Sequence, residues 1–352
     1  MHSSAPLPLA SIVVVTFNHG DILRSCLRSL QEQDYPNREI IVVDNGSTDA
    51  TQDILQSEFP GIRRVQLETN TGFAGGNNRG IALAKGRYIA LINNDAVAQP
   101  TWLSALVTAA EVAPRAGAVG SLVIDGNAPD RLDSFGMGVA LDGMSRQAMH
   151  GHPLDSPPTV GRDVLAISGC ACLFRAEALQ QTGLFDDRFF AYCEDTDLCL
   201  RLVRAGWQVV VVPEARVIHH YSGTIGAFSL QKVFWVERNH VWVAIKNFPP
   251  ALLVLMPWLV LWRFLVQTMA LARHVPSLER FRQTNGLWRI LITVAGAHVA
   301  AWAGLPRIVA SRLAFRPQCR LRGLRWAIIL WRRRMTIYEA VTASGRPSAP
   351  GM

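Results

Sequence analysis

The sequence lacks several features that would assign it to a common class of protein. Its six cysteines form no Cys-x-x-Cys pair, which argues against a metal site built from thiolates. The N-terminus has no basic segment followed by an apolar segment and a cleavage site, so no secretory signal peptide is predicted. These two features together predict a reducing, cytoplasmic environment.

The glycine fingerprint of dinucleotide-binding folds is also missing. The turn after the first predicted strand reads Thr-Phe-Asn-His-Gly, and the glycines that follow Asn70 have a different spacing and a different place in the chain. Asp44 stands where such folds have a ribose-binding acid, but that signal is weak without the glycines. A nicotinamide-dependent or flavin-dependent enzyme is therefore disfavoured.

Acidic residues are scarce in the last third of the chain. Residues 251–352 contain 15 Arg against two Glu, a net charge of +13, which leaves about −5 for residues 1–250 of a chain whose total is +8. The arginines alternate with runs of Leu, Val, Ile and Trp instead of polar residues, and no nucleic-acid motif accompanies them. We therefore predict an anionic membrane surface as the partner of this region, and no nucleic acid.

The apolar runs of this region are interrupted by polar groups. One spans residues 251–272 and contains Arg263, a second spans 290–306 and contains His298, and a third spans 327–331. A membrane-spanning helix needs about 20 predominantly apolar residues. We therefore favour interfacial or re-entrant helices, with a transmembrane segment as the alternative.

Predicted strands and helices alternate in the N-terminal half. Apolar or β-branched runs that stop at polar residues are followed by segments with apolar positions at helical spacing. The predicted strands are residues 11–16, 40–43, 63–67 and 88–92. The alternation predicts an α/β fold with a mostly parallel, Rossmann-like central sheet and right-handed crossovers.

Asp95 directly follows the fourth predicted strand, in the run Asn93-Asn94-Asp95. An acid at the carboxyl end of a strand lies where α/β sheets bind ligands, and it suits a hard divalent cation that carries phosphate oxygens. His219, at the end of a later predicted strand, is a second candidate ligand. An ordinary polar turn and a structural imidazole are the alternatives.

A group of acids crowds the start of another predicted helix. Glu194, Asp195 and Asp197 lie in its N-terminal turn, where negative charge is favourable to the helix dipole. Capping would account for one or two of the three, and we assign Asp197 to that structural role. Farther along, Arg238 would add positive charge near a bound diphosphate, with a helix-surface arginine as the alternative.

These segments resemble the family 2 glycosyltransferases with a GT-A fold, in the bacterial rhamnosyltransferase-like branch. The resemblance covers roughly residues 10–245, and the motifs occur in the order found in the family. The matching motifs are Thr16-Phe-Asn18, Val43-Asp44-Asn-Gly-Ser-Thr-Asp49, Asn70-x-Gly-Phe-Ala-Gly-Gly-Asn-Asn78, Asn93-x-Asp95, Glu194-Asp195-x-Asp197-Leu-Cys-x-Arg201 and His219.

The resemblance implies a role for each matching residue. Asp95 would bind Mg2+ or Mn2+ on the diphosphate, with His219 or its neighbour His220 as a second ligand. Asp195 would be the general base, with Glu194 beside it. The residues implied in nucleotide-sugar binding are Thr16, Asn18, Asp44, Asn45, Gly75, Asn78, Asn93 and Asn94. The family's usual Asp-x-Asp is Asn93-x-Asp95 here, so fewer carboxylates would hold the cation.

The chemistry of glycosyl transfer requires the same two kinds of group. A cation offsets the charge that develops on the leaving diphosphate, and a base takes the proton of the acceptor hydroxyl. Two separate acidic sites, at Asp95 and at Glu194 with Asp195, meet this requirement. One base without a nucleophile partner predicts single-step displacement with inversion.

We therefore predict a GT-A glycosyltransferase domain over residues 1–248, with a nucleotide half at about 10–124 and an acceptor half at about 164–248. A helical, membrane-associating region would cover 249–338, and a disordered tail 339–352. The predicted activity is transfer of a sugar, rhamnose from dTDP-rhamnose, to a lipid-linked glycan at the cytoplasmic face of the cell membrane. The alternatives are a UDP-hexose or UDP-galactofuranose donor, and a non-catalytic membrane-bound scaffold.

Overall fold

The computed structural model describes residues 6–155, 163–220, 229–273 and 276–342. The strands are β1 (Ala10–Thr16), β2 (Arg38–Asp44), β3 (Arg63–Gln66), β4 (Tyr88–Asn93), β5 (Ala96–Ala98), β6 (Ala116–Asp125), β7 (Leu132–Phe135), β8 (Met137–Val139), β9 (Ser145–Gln147), β10 (Ala171–Arg175) and β11 (Gln208–His219). The helices are α1 (Gly20–Gln31), α2 (Thr51–Ser57), α3 (Gly72–Leu83), α4 (Trp102–Val112), α5 (Ala176–Thr182), α6 (Glu194–Ala205), α7 (Leu230–Asn247), α8 (Pro250–Ala272), α9 (Pro276–Asn285), α10 (Leu287–Ala303), α11 (Leu305–Phe315), α12 (Gly323–Arg333) and α13 (Ile337–Thr342).

The main sheet has the strand order β3-β2-β1-β4-β10-β6-β11-β5, and β7 pairs with β6. The first four strands are parallel to one another, as are β6 and β11. Between these two parallel groups lies β10, which is antiparallel to both β4 and β6. The α/β class and the four predicted N-terminal strands are confirmed, and the reversed strand β10 is the feature that sequence alternation did not predict.

The centre of the sheet is covered on both faces. Ile12, Val13 and Val14 of β1 are all fully buried, which is why this strand is a continuous apolar run and not an alternating one. On one face, α3 approaches β1 so closely that a Cβ at Gly76 would lie 2.6 Å from Val15 Cγ1. The glycines of α3 therefore bring the helix directly against the strand.

The connection between the two predicted halves, residues 125–163, contains regular elements that we did not predict. They are β7 and the hairpin of β8 with β9, and Leu132 and Phe135 of β7 belong to the main hydrophobic core. Residues 156–162 of this segment lie outside the described ranges. β7 pairs with Leu122, Val123 and Ile124, near the carboxyl end of β6.

The C-terminal helices share the core of the sheet domain. Ala301, Ile308 and Trp326 belong to the same cluster of buried side chains as the sheet residues, and Trp326 donates through Nε1 to the carbonyl oxygen of Asn247 at 2.7 Å. Helix α13 covers Ile337–Thr342, so it extends over the first four residues of the predicted disordered tail. Residues after 342 lie outside the described part of the chain.

A chain that ends at Phe248 is therefore expected to lose stability as well as charge. Removing the later helices would uncover the apolar core around Trp242 and take away Arg263, the ion-pair partner of Glu237, so the free energy of unfolding should fall. Circular dichroism melting of the truncated and full chains would check this. An unchanged melting temperature would show that the α/β part is an independent domain.

Candidate active site

The turn after β1 is bound to the turn after β2. Thr16 donates through Oγ1 to the carbonyl oxygen of Asn18 at 3.2 Å and accepts from the Asn94 side chain at 3.1 Å. The Asn18 N–H donates to Ser47 Oγ at 2.8 Å, and the Asn18 side chain accepts from the Thr48 N–H at 2.9 Å. Three predicted site residues, Thr16, Asn18 and Asn94, therefore meet at the carboxyl end of the sheet.

Asp44 is the buried acid at this end of the sheet. Its side chain is 3% exposed, and Oδ1 accepts from the Ser47 N–H at 2.9 Å. The other oxygen, Oδ2, is buried and has no hydrogen-bond partner among the described residues. A buried acceptor without a donor is costly, so this atom suits an N–H or O–H group of a ligand. A cleft of about 220 Å³ opens beside Asp44 between α2 and β3.

Asn45 holds the glycine-rich loop that precedes α3. Its Oδ1 accepts from both the N–H and the hydroxyl of Thr71 at 2.9 Å, and its Nδ2 donates to Asn70 Oδ1 and to the Gly72 carbonyl, both at 3.0 Å. Every polar atom of the Asn45 amide is thus used within the protein. Its observed role is to position this loop.

The glycine-rich loop contacts the loop that leads to the acidic cluster. Gly72 has a φ of +74°, and a Cβ at this position would overlap the carbonyl group of Phe190. The Ala74 N–H donates to the same carbonyl oxygen at 3.1 Å. On the other side of the loop, a Cβ at Gly169 would lie 2.7 Å from Phe73 Cζ. The two motifs singled out in the sequence therefore form one site.

Asp95 and His219 are adjacent. His219, at the end of β11, places Nε2 3.3 Å from Asp95 Oδ1, and its imidazole is buried. The neighbouring His220 is exposed, and it is the backbone N–H of His220 that donates to the Asp95 carbonyl oxygen at 2.9 Å. Of the two histidines that the sequence left open, His219 is the one whose ring faces the acid.

The far side of the His219 ring contacts a third residue. Nδ1 lies 3.1 Å from Oδ2 of Asp133, a β7 carboxylate that is 2% exposed. Burial lowers the pKa of His219, but Cys170 and hydrogen bonds with Asp133 and Asp95 raise it, and the net shift is upward. When a cation binds in place of the Nε2 proton, Asp133 would keep the proton on Nδ1 and so leave the Nε2 lone pair for the metal.

This donor set fits a divalent cation. Two neighbouring ligands of an octahedral ion at about 2.1 Å lie about 3 Å apart, close to the Asp95–His219 separation of 3.3 Å. A carboxylate on the second ring nitrogen is the usual support of a metal-binding histidine. The pair offers one carboxylate and one imidazole, which leaves coordination positions for phosphate oxygens and water.

Glu194 and Asp195 begin α6 next to this site. Asp195 Oδ2 accepts from the Gly169 N–H at 3.1 Å, and Gly169 precedes Cys170, the residue beside His219. Burial raises the pKa of Asp195, although backbone hydrogen bonds from Gly169 and Thr196 oppose the shift. Burial, with the charge of Asp195 next to it, raises the pKa of Glu194 well above its usual range. An Asp carboxylate with a raised pKa is a stronger base than an exposed one.

The loop that leads to these acids is strained. Phe190, Tyr192 and Cys193 have φ values of 65°, 70° and 67°, a region that non-glycine residues rarely occupy. Asn239 of α7 holds the loop by donating through Nδ2 to the carbonyl oxygens of Phe189, Ala191 and Tyr192 at 2.8 to 3.0 Å. The position of Glu194 and Asp195 therefore depends on α7.

Asp197 is not a capping residue, and that assignment was wrong. It is fully buried, and its Oδ2 lies 3.0 Å from Arg201 Nε and 2.9 Å from Lys246 Nζ, while Oδ1 accepts from Asn247 at 2.8 Å. Burial alone would raise the pKa of Asp197, but the charges of Lys246 and Arg201 lower the pKa by more than burial raises it. The net shift is downward. Asp197 is the centre of a buried ion-pair network that joins α6 to α7.

Replacing Asp197 by Asn should therefore destabilise the fold. The amide keeps the shape but leaves Lys246 and Arg201 short of a buried negative charge, which costs about 3–5 kcal/mol. Because the folded-state pKa is lowered, this stabilisation is present above the unfolded pKa of about 4 and is lost as pH falls through the folded value. Urea unfolding would measure the loss, with exposed Asp53→Asn as the control; equal stability of the two variants would contradict the prediction.

The other predicted residues serve the frame of the site. Asn78 exchanges hydrogen bonds with the backbone of Phe185 at 2.9 and 3.1 Å. Gly75 allows α3 to close over Thr71, and Asn93 ends β4, with its N–H bonded to the Cys170 carbonyl at 2.8 Å.

Arg238 is engaged within the protein. Its Nη2 donates to the carbonyl oxygens of Arg188 and Phe189 at 3.1 and 2.9 Å, and its guanidinium lies 4.4 Å from the centroid of the Trp242 ring. Burial lowers its pKa. The observed contacts favour a structural role for Arg238 over the predicted contact with a diphosphate.

Sequence reasoning missed Asp133 and Asn239. Asp133 lies in the connection between the two predicted halves, and nothing in its spacing connects it with His219, 86 residues later. Asn239 immediately follows Arg238. Its role is visible only in the folded structure, where its side chain binds the loop before α6. The sequence of β7, Leu-Asp-Ser-Phe, shows no alternation of apolar and polar residues, so no local pattern predicted this strand.

The fold and the site together define a glycosyltransferase of the GT-A type, with a mixed sheet that carries polar groups at the carboxyl ends of its strands. Residues 11–183 match the model of Glycosyl transferase family 2. The N-acetylglucosaminyl-diphospho-decaprenol L-rhamnosyltransferase of Mycobacterium tuberculosis is 31% identical over 236 residues, which cover 61% of this chain and 77% of that protein. The chain belongs to the family 2 glycosyltransferases.

Two further comparisons agree with this membership. The O-antigen biosynthesis protein RfbC of Myxococcus xanthus is 29% identical over 260 residues, which cover 69% of this chain and 20% of that protein. A crystal structure of GalNAc-T7 with UDP, GalNAc and Mn2+ has a TM-score of 0.58 at 17% identity, and the match covers 80% of this chain and 55% of that one. The latter likeness supports the fold alone. The predicted family, its rhamnosyltransferase-like branch and the enzyme class are confirmed.

Proposed function

We propose that the protein is a metal-dependent, inverting rhamnosyltransferase that uses dTDP-rhamnose and extends a lipid-linked glycan. The observation that carries the proposal is that Asp195 binds the N–H of Gly169, and the next residue, Cys170, lies beside the Asp95–His219 pair. A site of this composition supplies both requirements of single-step glycosyl transfer.

The donor would be held at two points. Asp44 Oδ2 would accept a hydrogen bond from the nucleoside, since it is buried and lacks a partner among the described residues. Asp95 and His219 would hold Mg2+ or Mn2+, and when bound, that cation would offset the negative charge that develops on the leaving diphosphate. Thr16, Asn18 and Asn94 would line the nucleoside end of the same edge.

The acceptor hydroxyl would give its proton to Asp195. The Gly169 N–H orients the Asp195 carboxylate, and the raised pKa increases its basicity. Glu194 lies next to this base, and burial together with the charge of Asp195 raises the pKa of Glu194 well above its usual range. Attack from the face opposite the diphosphate inverts the anomeric carbon.

The choice of donor and acceptor rests on the relatives. A relative whose name specifies L-rhamnosyl transfer to a decaprenol-linked acceptor is 31% identical to this chain, and this supports a rhamnose donor and a lipid-linked acceptor. A UDP-hexose or UDP-galactofuranose donor remains the alternative within the fold. We propose the cytoplasmic face of the cell membrane as the location, with residues 249–338 as the membrane-associating region.

A panel of nucleotide sugars with Mn2+ would test the proposal. Purified full chain should release nucleotide fastest from dTDP-rhamnose, slowly without acceptor and faster with a polyprenyl-diphosphate-linked sugar. Faster release from a UDP sugar would reassign the donor. No release from any donor in the panel would favour the non-catalytic scaffold.

The Asp133→Asn variant gives a test of metal support that does not depend on turnover. The neutral Asn amide no longer offers a negative charge to the Nδ1 proton of His219. The affinity for Mn2+ should therefore fall about 10-fold to 100-fold, as for other residues that support a metal-binding histidine. Calorimetric titration with Mn2+ in the presence of nucleotide diphosphate would measure this. Unchanged Mn2+ affinity would remove Asp133 from the site, and Asp125→Asn, at the end of neighbouring β6, is the control.

A further inference from the structure

Helix α8 has the length and apolar composition of a membrane-spanning helix. It is 23 residues long, and only 17% of its most apolar window is buried within the protein. Helices α10 and α11 would also qualify if taken together, but they are bent by 53° at their junction. Length and composition alone therefore allow either a crossing or a surface-bound arrangement.

The contacts of α8 extend over most of its length. Near its N-terminal end, Leu252 and Met256 pack against the main core of the sheet domain. Near its C-terminal end, Val266 and Ala270 form a second buried cluster that includes Ala140 from the segment between β8 and β9. At 1.5 Å per residue, contacts from Leu252 to Ala270 cover about 27 Å of helix. The helix lies along the enzyme and does not project from it.

A buried arginine fixes α8 in this position. Arg263, in the middle of the helix, is 1% exposed; it lies 2.8 Å from Asp142 Oδ2 and 2.7 Å from Glu237 Oε2. Separating such a pair leaves uncompensated buried charges, which strongly disfavours a state with α8 detached from the domain. In the sequence, Arg263 argued against a membrane-spanning helix. In the structure, the same residue attaches α8 to the catalytic part.

The opposite face of α8 is apolar and exposed. Of the 20 exposed large apolar side chains in the described part of the chain, 18 lie between Val254 and Tyr338. On α8 they follow helical spacing, with Trp258 70% exposed, and on α10 they include Trp288, which is 73% exposed. His298 of α10 faces the Glu237 carboxylate at 3.6 Å, so α10 is attached to the same buried charge cluster as α8.

Exposed arginines accompany the exposed tryptophans of these C-terminal helices. Exposed tryptophans are followed directly by exposed arginines at Trp288-Arg289 and Trp331-Arg332. Tryptophan beside arginine is typical of surfaces that enter the headgroup layer of an anionic bilayer. A second copy of the chain would bring the same positive charges together, so charge complementarity favours lipid as the occupant.

We infer that α8 and α10 lie in the plane of an anionic lipid surface, held there by the enzyme through Arg263, and that α8 does not cross the bilayer. This inference rests on the membrane association proposed above. The exposed apolar faces enter the headgroup region, and the buried faces remain on the catalytic part. Both ends of α8 are then on the same side of the membrane.

Cysteine labelling from one side of the membrane tests this arrangement. The native cysteines are buried, so the unsubstituted chain should react little with a membrane-impermeant maleimide. In sealed inverted membrane vesicles, Ala251→Cys and Arg273→Cys, at the two ends of α8, should both be labelled, as should the reference Leu7→Cys in the catalytic part. Labelling of one α8 end only after permeabilisation would overturn the inference and leave membrane association intact.

Vesicle flotation separates the inference from its premise. The full chain should float with vesicles of phosphatidylcholine and phosphatidylglycerol, and the double variant Trp258→Glu, Trp288→Glu should bind about tenfold more weakly. Val112→Glu, at an equally exposed apolar position on α4, should leave binding unchanged. A chain that does not bind these vesicles, or that forms a dimer through this face instead, would overturn both the inference and the proposed membrane association. Donor hydrolysis measured on the same samples reports separately on the proposed glycosyltransferase activity.

Discussion

Asp95→Ala is expected to abolish sugar transfer while leaving the protein folded. The variant removes the carboxylate that faces His219 across 3.3 Å, and with it the cation that would stabilise the leaving diphosphate. Lewis-acid stabilisation is worth several kcal/mol, so the rate should fall by at least about 10³-fold. Nucleotide release and Mn2+-dependent binding of the donor, measured by calorimetry, would both be lost.

The control for this prediction is an exposed acid elsewhere in the domain. Asp130→Ala removes a surface carboxylate near β7 and should change neither transfer nor thermal unfolding. Normal transfer by the Asp95→Ala variant would show that the metal assignment is mistaken. So would full activity of the unsubstituted enzyme in excess EDTA.

Asp195→Asn should give the second large loss. The amide has nearly the shape of the carboxylate but cannot accept the acceptor's proton, so the transfer rate should fall by about 10²-fold to 10⁴-fold with donor affinity retained. Glu177→Gln, at the start of α5, is a matched change of an exposed acid in a first helical turn and should have little effect. Similar, small losses in both variants would remove Asp195 from the role of base.

The pH dependence of transfer follows from the same residue. The base acts in its deprotonated form, so activity should be present above the pKa of Asp195 and fall as pH drops through it. Because burial raises that pKa, the acidic limb of kcat should lie above the value of about 3.9 for an ordinary Asp. An acidic limb at or below that value would contradict the assignment.

The sequence predicted those parts of the fold that depend on local patterns. β1 and β4 are apolar runs that stop at polar residues, and the residues at their ends, Thr16 and Asp95, could be recognised without the structure. The position of an acid after a strand determines its place at the edge of the sheet. The candidate ligand role of Asp95 therefore follows from periodicity and residue type, whereas the nucleoside role of Thr16 came from the family resemblance.

Features that depend on contacts between distant segments were not predicted. Asp197 occupies a helical N-terminal turn, where capping is the local expectation, but Lys246 arrives from α7, 49 residues later, and converts it into a buried ion pair. Asp133 lies on a strand whose pairing with β6 only the folded sheet defines. Arg263 interrupts an apolar run, and its partner Asp142 is 121 residues away. A sequence shows such charges but not which of them become neighbours.

The loop before α6 sets an order of assembly. Its left-handed backbone at Phe190, Tyr192 and Cys193 is held by Asn239, which leaves the ribosome after every residue of the proposed nucleotide and metal sites. Without that amide, the loop would relax to ordinary φ values and carry Asp195 away from Gly169. A nascent chain can therefore form its donor site before its base is in place. Turnover of the donor would therefore require α7 to be in place against this loop.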